Sequence, residues 1–174
     1  LVTRRCPCPT TRRRPGTAPA GEDIDLLRRA AVASGARIVT PGSPGSQIIG
    51  GLLSGPVELD AQRLLAGELQ EVGEREMVLF KPRWSAFYRT GLDEWLRDQG
   101  CDTVVVGGCN LPNCPRATLF DASERDFRAV VLRDAVSRAS IERITDLEEI
   151  GVQPLSASDV VAALGQRGTP APVA

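Results

Sequence analysis

Gly107-Gly108-Cys109-Asn110-Leu111-Pro112-Asn113-Cys114-Pro115-Arg116-Ala117-Thr118 decides how this chain is read. Ahead of it, residues 103–106 form an unbroken apolar run, Thr-Val-Val-Val. That is the pattern of a strand buried on both faces. Behind it, a helix is predicted over about residues 115–125. The two glycines let the backbone turn sharply and leave room for a ligand. Pro115 suits the first helical position, which puts Cys114 at the N-cap. A thiol there faces the positive end of the helix dipole and free backbone N–H groups. Both stabilise a thiolate, and the same N–H groups suit an oxyanion. The competing reading is a buried structural cysteine.

A second segment sits at another strand end. Residues 77–80 predict a strand, and Lys81-Pro82-Arg83-Trp84-Ser85-Ala86-Phe87-Tyr88 follows it directly. Ligands of open α/β sheets bind beyond the carboxyl ends of strands. A lysine there is partly desolvated, which favours its neutral form. Lys81 is the single lysine in the chain, against twenty arginines. Trp84, Phe87 and Tyr88 either wall a pocket or pack into the core.

Around these segments, strands and helices alternate. Helices are predicted from about residue 22 to Gly35, from 92 to Gly100, over 141–150 and over 158–164. Further strands are predicted at 36–40, 129–132 and 152–155, while residues 47–70 give no clear pattern. The alternation implies a mainly parallel sheet with helical crossovers. Residues 1–20, rich in Arg, Pro and Thr, predict a disordered or irregular leader. The domain then runs over 21–166, and 167–174 is a flexible tail.

Composition narrows the chemistry. With 174 residues, 42% apolar and a net charge of -1, this is an ordinary globular domain with room for a core. Nothing in that balance asks for nucleic acid, and no apolar run approaches the roughly 20 residues of a membrane span. The five cysteines are Cys6, Cys8, Cys101, Cys109 and Cys114. An odd, scattered set argues against a disulfide framework and for a reducing cytoplasm. Cys101, ahead of a strand, is expected to be buried or semi-buried. Cys109 and Cys114 are spaced more widely than a CxxC redox pair. There is no histidine. Ser-His-Asp and Cys-His catalysis and His-containing zinc sites are therefore excluded.

KPRWSAFYRTGLDEWL (residues 81–96) and GCNLPNCPRATLFDASERDFRAVVLRDAVS (residues 108–137) resemble the isochorismatase-like cysteine hydrolases, a nicotinamidase-related family. The similar stretch runs from about residue 41 to 160. The resemblance implies a three-layer α/β/α sandwich with a mainly parallel sheet. It implies Cys114 as nucleophile and Lys81 as its partner in a Cys-Lys-Asp triad. It also implies a cis peptide at Cys109–Asn110, with Asn113 in the same loop. The oxyanion donors would be the N–H groups of Asn110 and Cys114. Trp84, Phe87 and Tyr88 would line the substrate pocket. The substrate would be a small molecule with an amide or related C–N bond, with no cofactor and no metal. The family's triad aspartate ends a first strand that is not found here. Asp23 and Asp25 fall on a predicted helix and do not replace it. The sheet is therefore expected to be incomplete at its N-terminal side, with an open edge that favours a homo-oligomer. An impaired remnant serving as an interaction protein is the alternative to a hydrolase.

Overall fold

The structure is a computed structural model that describes residues 2–4, 26–35, 44–53, 55–74 and 76–166. The chain divides into two compact units, Leu1–Asp93 and Glu94–Ala174, and each is taken by itself. The strand expected at 36–40, together with Asp23, Asp25, Cys6, Cys8 and the tail 167–174, lies outside the described residues.

The first unit holds a three-stranded sheet in the order β1-β3-β2, with β1 Val2–Arg4, β2 Gln70–Gly73 and β3 Glu76–Phe80. β1 runs parallel to β3, and β2 runs antiparallel to it with an irregularity between Glu71 and Gly73. Val2–Arg4 therefore correct the expectation of an irregular leader at those three residues. Their backbone finds a ladder along Val78–Phe80. β3 is central, and its Val78 and Leu79 are buried with Ala86, Phe87 and Leu92. Helix α1 (Leu26–Ala33) is followed by Gly35 at φ +91, the left-handed position that suits glycine after a helix. Helix α2 (Ala61–Leu65) is capped by Asp60, whose Oδ1 accepts the N–H groups of Gln62 and Arg63, each at 3.0 Å. The division between units falls within α3 (Leu92–Asp98), which is followed by Gly100 at φ +67.

The second unit is built on a parallel sheet in the order β4-β5-β6: Thr103–Gly108, Arg128–Val136 and Gln153–Leu155. Helix α4 (Cys114–Ser123) connects β4 to β5, and α5 (Ile141–Glu148) connects β5 to β6. Leu111, Leu119, Ala122, Val131 and Leu147 are at most 1% exposed and form the core. The expectation that 103–106 is buried on both faces is corrected. Val105 is 42% exposed, on a strand that stands at the end of the order β4-β5-β6. Cys101, expected to be buried or semi-buried, is exposed in the turn before β4.

The last helix, α6 (Ala157–Gln166), begins with a reciprocal cap. Ser156 Oγ accepts Asp159 N–H at 3.1 Å, and Asp159 Oδ2 accepts Ser156 N–H at 3.0 Å. Asp134, on β5, adds its carboxylate to Ala157 N–H at 2.9 Å. Hydrogen bonds from the Ser156 side chain and backbone hold the Asp159 carboxyl below its ordinary range. A carboxyl held low in the folded state stabilises the fold above its unfolded pKa of about 3.9. That contribution is lost as pH falls through the folded value. Asp159→Ala should therefore lower the urea midpoint at pH 7, and the gap to the parent protein should narrow by pH 3. Equal gaps at both pH values would show that the carboxylate does not cap α6.

Candidate active site

The thiol comes into place through the path of the chain between β4 and α4. At Gly107, a Cβ would lie 3.2 Å from the Ala135 carbonyl oxygen, so any side chain there would press on the neighbouring backbone. Gly108 has φ +117, a conformation that side chains rarely adopt. The Cys109–Asn110 peptide is cis, as the resemblance implied. The turn then closes through Asn113 N–H on the Asn110 carbonyl at 2.9 Å.

Helix α4 begins one residue earlier than the sequence reading had it. Asn113 is the N-cap, because its carbonyl accepts Ala117 N–H at 3.0 Å. Cys114 is the first helical residue and Pro115 the second, which corrects the placement of Cys114 at the N-cap. Proline suits either position, because neither N–H has a partner within the helix. The shift changes which donors remain. Pro115 has no N–H, and Arg116 donates its own to the Leu111 carbonyl at 3.1 Å. Of the first turn, only Cys114 N–H has no acceptor among the described residues. Asn110 N–H has none either. Both N–H groups named for an oxyanion are therefore open, and the thiol of Cys114 sits half-buried at the positive end of a ten-residue helix.

Neighbouring groups fix this helix start. Thr118 Oγ1 donates to the Cys114 carbonyl at 2.8 Å. Arg116 is engaged with Asp146 at 3.7 Å and lies 5.5 Å from the Phe120 ring centre. Cys109 is exposed, as are Asn110 and Ser137.

Lys81 follows β3 directly in the first unit and is only 3% exposed. Its Nζ donates to the carbonyls of Arg83, at 3.5 Å, and Trp84. The segment after Lys81 thus curls back and offers main-chain oxygens to an ammonium that burial has stripped of water. Trp84 and Tyr88 are exposed, while Phe87 is buried. The guanidinium groups of Arg83 and Arg89 lie 5.7 and 5.5 Å from the Tyr88 ring centre. The carbonyl acceptors of Lys81 and the cations beside Tyr88 were missed in the sequence. Arg83 and Arg89, flanking Tyr88 in the sequence, were the available signal for the cations. The structure gathers Lys81, Trp84, Phe87 and Tyr88 on one segment of the first unit. It gathers Cys109, Asn110, Asn113 and Cys114 on one turn of the second.

Comparison with known proteins matches residues 58–159 to the isochorismatase domain. The chain belongs to the isochorismatase-like family. A "probable inactive nicotinamidase" of Arabidopsis thaliana is 32% identical over 139 residues, covering 76% of this chain and 62% of that protein. Maleamate amidohydrolase of Pseudomonas putida is 46% identical over 61 residues, covering 35% of this chain and 29% of that enzyme. The crystal structure of an isochorismatase family protein from Desulfovibrio vulgaris aligns with a TM-score of 0.64 at 30% identity, covering 83% of this chain and 69% of that one. The expected α/β class, a three-layer sandwich with a mainly parallel sheet, is the fold of this family. The chain spans less than two thirds of the length of either curated relative. Among the described residues, no group of His, Cys, Asp or Glu is arranged to hold a metal, and no helix is long and apolar enough to cross a membrane.

Replacing Lys81 with methionine keeps the buried stem but removes the donor to the Arg83 and Trp84 carbonyls. Losing a hydrogen bond to a charged group costs about 1.5–3 kcal/mol. Lys81→Met should lower the unfolding free energy by that amount in a urea titration. An unchanged midpoint would show that Lys81 does not anchor its segment.

Proposed function

We propose that this protein hydrolyses a small amide through an acyl-enzyme on Cys114. The observation that carries the reading is the pair of open N–H groups, on Asn110 and Cys114, beside a thiol on the first turn of α4. The Cys114 sulfur attacks the amide carbon, and the carbonyl oxygen becomes an oxyanion that accepts hydrogen bonds from the two N–H groups. The intermediate collapses, and the C–N bond breaks as the nitrogen takes up the proton that the thiol gave up and leaves as ammonia or an amine. Water then attacks the thioester, the acid departs, and the thiol regains its proton. In this reading Lys81 orients the site and supplies positive charge, the role the family resemblance gives it.

The amide class is supported by the resemblance to an enzyme named maleamate amidohydrolase. A cysteine at this position also favours amide hydrolysis over isochorismate cleavage. Monoamides of short dicarboxylic acids are therefore the first substrates to try.

A second reading, a catalytically impaired member serving as an interaction protein, is favoured by the likeness to a plant protein named as inactive. Incubation with maleamate and other small amides, followed by mass spectrometry, separates the two. The hydrolase reading expects an acyl mass on the peptide containing Cys114 and release of ammonia. Cys114→Ala should lower turnover by at least about a thousandfold. A folded protein that gives neither adduct nor ammonia would count against the hydrolase reading.

A further inference from the structure

Ser137 follows β5 directly and makes three hydrogen bonds to the turn that leads into Cys114. Its N–H donates to the Gly108 carbonyl at 3.0 Å, and its carbonyl accepts Leu111 N–H at 2.9 Å. Its hydroxyl donates to Asn110 Oδ1 at 2.9 Å. The first two bonds are main-chain, and any residue except proline can make both. The third needs a hydroxyl.

What that third bond does follows from the chemistry of asparagine. An Asn side-chain oxygen competes for nearby backbone N–H groups, its own and those of the next few residues. Asn110's own N–H is one of the two open donors, and the other, on Cys114, lies four residues on in the same turn. An untethered Asn110 Oδ1 is therefore a local rival for the donors that an oxyanion would use. The Ser137 hydroxyl occupies that oxygen instead.

We propose that Ser137 is a positioning residue whose hydroxyl holds Asn110 Oδ1 away from the backbone and so keeps the Asn110 and Cys114 N–H groups open. Its catalytic consequence rests on the acyl-enzyme reading, while its structural consequence does not. Oxyanion donors act in the transition state rather than on bound substrate, so losing them lowers kcat more than it raises KM. A side chain that served only general stability would not produce that split. Threonine keeps the hydroxyl, and position 137 is exposed enough to take the extra methyl.

The test uses the full chain with Ser137→Ala and Ser137→Thr. Two quantities are read: steady-state kinetics on the amide that acylates Cys114, and hydrogen exchange at the Asn110 and Cys114 amides by NMR. Ser137→Ala should lower kcat by about tenfold or more, the scale of a weakened oxyanion donor, with KM nearly unchanged. Exchange at one or both amides should slow as Oδ1 takes them up. Ser137→Thr should restore both readouts. Unchanged exchange in Ser137→Ala, or an equal loss in the threonine variant, would overturn the proposal. If the parent protein acylates with no amide, the hydrolase reading fails by itself. Exchange at the two amides then still decides the role of Ser137.

Discussion

The hydrogen bonds between Ser137 and the ends of the turn at Gly108 and Leu111 set where α4 can begin. Gly108 leaves β4 in a left-handed conformation, and Ser137 ties it to the end of β5. Leu111, tied to the same residue, is at most 1% exposed and roots the turn in the core of the second unit. Everything chemical in this unit follows from that arrangement. It places Asn113 as the helix cap, Cys114 on the first turn, and the thiol at the positive end of the helix.

The first turn of α4 is also unusually short of donors. A helix ordinarily leaves its first N–H groups free. Here proline removes one, and the Leu111 carbonyl takes up that of Arg116. One helical N–H, that of Cys114, and one loop N–H, that of Asn110, remain without an acceptor among the described residues. In the proposed reaction these are the two donors for the negative charge that develops on an atom bound to Cys114.

The strand–turn–helix around Cys114 was legible because each part leaves a local mark: a valine run, a glycine pair and a proline at a helix start. The offset of the N-cap was not legible. Asn113 and Cys114 both precede Pro115, and proline is tolerated in either of the first two helical positions, so only the Ala117 bond to Asn113 decides. β2 left no pattern because Gln70-Glu71-Val72-Gly73 has a single large apolar residue. It is a strand through its pairing with β3. The exposure of Val105 was hidden for a similar reason, since a valine run reads the same in the middle of a sheet as at its end. The cradle of Lys81 depends on main-chain oxygens two and three residues away, which residue identity does not encode.

Family membership fixes the ancestry of this chain, while the proposed chemistry turns on the Cys114 thiol and the two N–H donors. A small aldehyde tests that pairing without requiring turnover, because a thiol adds to the formyl carbon and the former carbonyl oxygen then lies where the oxyanion would. The most direct measurement is the 13C spectrum of the protein with succinic semialdehyde labelled at its formyl carbon. The account predicts a thiohemiacetal resonance that disappears in Cys114→Ala. Finding only the free aldehyde and its hydrate, with folded protein in excess, would contradict it.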